Sequence, residues 1–166
     1  MYPLTLEDAW WIMTVNHSLA DWDPAKASAL EMTPANVRKL LAEKEAALAR
    51  VRKLRDRISG DRRSMGLNPK FYEDLVQTFQ MFAVYIEGFY YAAKACILTK
   101  YAQENGEGLA RSEAVLAIGE LERFNERLAR LVSPTRMHHY VYMMMDPGRL
   151  ESLIHNLKSK TAGFSQ

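Results

Sequence analysis

The chain has 166 residues, enough for one domain with a sizeable core. Hydrophobic residues make up 48% of it, which excludes disorder as the default, and 22 basic against 20 acidic residues leave a net charge of +2. That balance gives no global reason to expect nucleic acid or an anionic membrane, and a single cysteine, Cys96, excludes an internal disulfide and a thiolate zinc site.

The first residues, MYPLTLEDAWW, lack a basic leader and a long apolar run, so they do not read as a signal peptide. Thr5 with Asp8 resembles a capping box that opens a helix, on which Leu6, Trp10, Met13 and His17 fall at helical spacing. His17 on that apolar stripe reads as a core or boundary histidine. Asp23 and Pro24 give an N-cap and first-position pair for a short helix to Leu30. Trp22 reads as a packing anchor of this corner, with sugar stacking as the alternative.

Thr33 and Pro34 repeat the start signal for a helix running to Ser59, with Gly60 as its stop. Val37, Leu40, Leu41, Ala47, Leu48, Val51, Leu54 and Ile58 make one apolar stripe. The helix ends in a basic cluster that continues to Arg62 and Arg63. It reads as a solvated face suited to a helix C-terminus, with an RNA or phosphate contact as the alternative. Residues 61–67 are the loop to the next element.

The longest element follows. Asn68 and Pro69 open it, Gly106 closes it, and no proline interrupts it, so a helix of about 36 residues would span roughly 54 Å. Phe71, Leu75, Phe79, Phe82, Ile86, Phe89, Ala93, Ile97 and Tyr101 lie on one side, and further apolar residues widen the stripe nearly all round. Such a helix must be surrounded by others. Glu87, Gly88 and Lys94 interrupt its most apolar part, which argues against a membrane span. Glu73, Gln77, Gln80, Glu87 and Lys94 fall along one line, read as a solvent-facing strip, with a buried polar network as the alternative. Cys96 sits mid-helix among small apolar residues and reads as a buried packing residue.

After a turn at 106–108, a fourth helix runs from Leu109 or Ser112 to Val132, with Ala114, Ala117, Ile118, Leu121, Phe124, Leu128 and Leu131 facing the core. The stretch TRMHHYVYMMM, residues 135–145, has no clean period and reads as an irregular segment packed across the bundle, or as a partner surface. Asp146 and Pro147 start a last helix lined by Leu150, Leu153, Ile154 and Leu157.

The expected fold is all-α, a single domain over residues 1–166. It is an antiparallel bundle of about four to six helices around one long, mostly buried central helix at 69–104. No catalytic signature stands out. The Glu-x-x-His pairs of di-iron bundles are absent, and Glu151 with His155 reads as a surface contact, so no metal and no cofactor are expected. Arg149 and His155, with five residues between them near a helix start, are similar to the Arg-and-His spacing of HEPN-type ribonucleases. In that reading the arginine would stabilise phosphate charge and the histidine would act as acid or base.

Three places together resemble a second family. They are the Trp-rich start ending in ADWDP, the FYEDLVQTFQMFAVYIEGFYYAAKA helix and HHYVYMMMDPGRLESLIHNL. Their order is similar to the helical region C-terminal to the catalytic barrel in some glycoside hydrolases. The resemblance implies that Trp22, Asp23 and Pro24 form the corner leading from barrel to helices and that Asp146 and Pro147 start the closing helix. It implies a structural role, since the catalytic carboxylates of such enzymes lie in the barrel and none carries over here.

The expected function is thus a non-catalytic helical accessory or interaction domain, in the manner of the helical part of a carbohydrate-active enzyme. Its partner would be another domain of the same protein or a copy of itself, docked near Trp10, Trp11 and Trp22, with carbohydrate reached only through the parent enzyme. A ribonuclease using Arg149 and His155, and a homodimeric or partner-binding module using Met137 to Met145, are the alternatives. Nothing in the sequence fixes a compartment.

Overall fold

A computed structural model describes residues 31–60, 66, 68–106, 108–131 and 146–163. The expected first helix, the Trp22 corner and the methionine-rich segment lie outside these residues. Every described element is helical: α1 (Pro34–Gly60), α2 (Pro69–Asn105), α3 (Gly108–Leu131) and α4 (Pro147–Ala162).

The helix ends sit where the capping chemistry puts them. Thr33 Oγ1 accepts from the Asn36 amide at 3.2 Å and opens α1. The Asn68 side chain accepts from the Lys70 amide at 3.0 Å, and Pro69 follows it, where a missing N–H costs nothing. Asp146 repeats the arrangement on α4, accepting from Arg149 at 3.2 Å and from Gly148 at 3.4 Å. Gly106 closes α2 in the left-handed region at φ 67°, and its N–H donates to the Ala102 carbonyl.

α2 is the spine. Its 37 residues span about 55 Å. α1 lies antiparallel along its whole length: the Asn105 amide donates to the Met32 carbonyl at one end, and the Tyr72 hydroxyl donates to the Ile58 carbonyl at the other. α3 is antiparallel to α2 as well and makes the most extensive contact with it. α4 packs chiefly on α3 and reaches α2 with a smaller area.

The centre of the core is built on small residues. Gly88, Ala92, Ala95, Thr99 and Ala102 of α2 are buried at alternating spacings of four and three, and α3 buries Ala110, Ala114 and Ala117. Short side chains on both helices allow a close approach, and Ile118, Leu121, Phe124 and Leu128 then fill the space beside them. Leu150, Ile154 and Leu157 seal that layer from α4.

The long helix is less buried than its composition suggests. Arg127 pairs with Glu87, so α3 ends one turn beyond that level, and residues 69–82 of α2 run on with α1 alone among the described helices. Phe71 is 58% exposed and Phe82 47%, although both belong to the stripe expected in the core. The second half of α1 and the first part of α2 thus form a two-helix arm beyond the three-layered body. Leu54 and Leu131, also expected in the core, are exposed at this end too.

Candidate functional site

Glu87 ties three of the described helices together. Its side chain is only 14% exposed and sits where α1, α2 and α3 meet. One carboxylate oxygen takes Arg52 of α1 at 2.6 Å, and the other takes Arg127 of α3 at 2.8 Å. The hydrogen bond to Glu87 raises the Arg52 pKa against the opposing cost of its burial, and the Tyr91 hydroxyl adds to it. Arg127 also lies over the Phe124 ring at 5.3 Å, and Phe124 packs on Tyr91 at 5.6 Å.

Two turns along α2, Lys94 meets Glu120 of α3 at 2.7 Å and lies over the Tyr90 ring at 5.9 Å. Partial burial works against the Lys94 charge, but the Glu120 hydrogen bond and charge outweigh it and hold the pKa above the ordinary lysine value. Burial raises the Tyr90 hydroxyl pKa, against the lowering effect of Lys94. The polar line of α2 therefore divides in two. Glu73, Gln77 and Gln80 are exposed as expected, whereas Glu87 and Lys94 are half-buried and clamp α1 and α3 to the spine. The signal in the sequence was a carboxylate inside the most apolar run of the chain. Which helices would answer it depends on packing that spacing alone does not give.

Opposite this clamp the arm is apolar. Phe82 lies five positions before Glu87 and so points about 140° away from it around the helix. Phe71 falls on the same line as Phe82, eleven residues earlier, and the Phe79 ring stacks obliquely on Phe82 at 5.9 Å. Leu54, two residues after Arg52 and about 160° from it, brings α1 to the same side at 46% exposure. A second apolar line, Leu109 and Leu116, is exposed on the outer side of α3.

The residues singled out for chemistry do not form a centre. Arg149 and His155 are both exposed on α4, six positions apart, which sets them about 120° apart around the axis and about 9 Å along it. Glu151 and His155 are exposed too, and among the described residues no group of three or more histidine, cysteine, aspartate or glutamate side chains is placed to hold a metal ion. The Cys96 thiol is pushed up to about 12 by burial, which keeps it protonated and a poor nucleophile.

α2 is also long and apolar enough to cross a membrane, with a mean hydropathy of 1.2 over its most apolar stretch, 39% of which is buried. Glu87 and Lys94 in this helix each find their counter-ions on neighbouring helices of the same chain, as in a helix packed at the centre of a bundle. No family model, no curated protein and no solved structure matches the chain.

Proposed function

We propose that this chain is a non-catalytic helical accessory or interaction domain whose docking face is the apolar flank of the arm. The observation that carries this reading is the exposure of Leu54, Phe71 and Phe82 on one side of two helices that are otherwise well capped and ion-paired. Exposed apolar patches, unlike single scattered residues, mark interaction surfaces. The clamp at Glu87 supports a scaffold role, because it fixes the arm's root to the body.

The Trp22–Asp23–Pro24 corner and the Asp146–Pro147 helix start supply a candidate parent, a carbohydrate-active enzyme in which this region stands beside the catalytic barrel. The competing chemistry is RNA cleavage by Arg149 and His155, and it is tested directly. Single-stranded RNA incubated with wild type and with His155→Ala is expected to give the same trace of background hydrolysis. Cleavage by wild type that disappears in His155→Ala would replace the interaction reading with a ribonuclease.

A further inference from the structure

We infer that the arm's apolar flank seats an amphipathic helix carrying acidic side chains beside its apolar stripe. This rests on the interaction-domain reading and adds the chemistry of the partner. Phe71 and Phe82 lie in a line parallel to the α2 axis, about 16 Å apart, which is three helical turns. Leu54 borders that line from the antiparallel α1, so the three side chains lie along one flank of the seam, the trough between the two helices. A third helix laid along the trough would present its own apolar residues at matching intervals of three and four.

The charge of the trough's α1 border selects the partner, α2 adding one exposed acid there, Asp74, one turn after Phe71. Residues 50–60 hold Arg50, Arg52, Lys53, Arg55 and Arg57 against one acid, Asp56, a surplus of four positive charges. Arg52 is spent on Glu87 and Arg55 on Asp56. Arg50 and Arg57 stand one turn before and one turn after Leu54, on its side of α1. Arg50 and Lys53 are exposed, and neither has an ion-pair partner among the described residues. A helix bearing glutamates beside its apolar stripe meets this border with opposite charge, and one bearing lysines meets it with like charge.

The test uses two fluorescent 18-residue helical peptides with the same leucine stripe, one flanked by glutamates and one by lysines, titrated into the full chain by anisotropy. The glutamate peptide is expected to bind roughly tenfold more tightly at low salt, a preference that shrinks as salt screens the border. Arg50→Glu with Lys53→Glu should erase or reverse the preference, and Phe82→Ser, checked for unchanged helicity, should weaken both peptides. Equal binding of the two peptides overturns the acidic partner and leaves the interaction reading standing. Binding of neither peptide, or sedimentation with phosphatidylserine vesicles in the absence of peptide binding, overturns the inference, and binding unaffected by Phe82→Ser removes the arm as the docking face.

Discussion

Replacing Glu87 with glutamine keeps the shape of the side chain and removes the charge that holds two arginines. The cost follows from burial. An exposed ion pair contributes about 0.2–1 kcal/mol, and removing one partner from a fully buried pair costs about 3–5 kcal/mol. Glu87 is 14% exposed while Arg52 and Arg127 are 45% and 52% exposed, so the carboxylate is sheltered and the guanidiniums can rehydrate. A loss of about 2 kcal/mol is expected for Glu87→Gln, a drop in Tm of roughly 4–8 °C for a chain of this size. The internal control is Glu122→Gln, which breaks a single contact of 2.6 Å to Lys158 between side chains 42% and 51% exposed. That change should cost under about 1 kcal/mol. Urea and thermal unfolding followed by circular dichroism measure both. Equal losses in the two variants would refute the claim that Glu87 clamps three helices, as would a Glu87→Gln loss abolished by moderate salt.

Leu121 is fully buried at the centre of α3, and Leu121→Ala should cost about 2–5 kcal/mol in the same unfolding assay, while Leu116→Ala at 67% exposure should stay within about 0.5 kcal/mol. At Gly106, with φ +67°, alanine should destabilise by about 1–2 kcal/mol. At Gly119, inside α3, an added Cβ meets only the tip of Arg123 at 3.6 Å, so alanine should stabilise by a few tenths up to about 1 kcal/mol; equal effects at the two glycines would contradict the backbone assignment. Cys96 should resist alkylation at pH 8 in the folded chain and react rapidly in urea. Because its thiol ionises near its ordinary value of 9.0 when unfolded and only at about 12 when folded, the unfolded state loses its proton first. Stability relative to Cys96→Ala should therefore fall as pH rises between those values, and a flat difference would contradict the burial of the thiol.

The helices were legible because local chemistry dictates their ends. Thr33, Asn68 and Asp146, each followed by proline, and Gly106 act through their own backbone neighbours, and the structure puts a cap at each of these positions. The core face of α3 was legible for a related reason: six of its seven expected positions recur on one side of the helix and are buried. The burial of α2 was not legible. Its apolar residues run nearly all round, so periodicity does not say which of them a neighbour covers. That depends on where the neighbouring helices sit, and the most buried side chains of α2 are Ala92, Ala95, Thr99 and Ala102, which a hydrophobic stripe of phenylalanines overshadows. The docking face was expected at Trp10, Trp11 and Trp22, which lie outside the described residues, and it was not expected on the arm. Phe71 and Phe82 look like core residues in sequence, but they lie on the side of α2 away from the Glu87 clamp, where no described helix covers them.

Whether the arm's flank is open to solvent in the native chain is the question on which the account turns. Titration with the dye anilinonaphthalene sulfonate at neutral pH, beside a cooperative thermal unfolding curve on the same sample, answers it. The account predicts enhanced dye fluorescence in the fully folded wild type, most of it lost in the Phe71→Ser, Phe82→Ser double variant with helicity unchanged. A native chain that leaves the dye dark, or a double variant that binds it as well as wild type does, would show that Phe71 and Phe82 are not an open docking face.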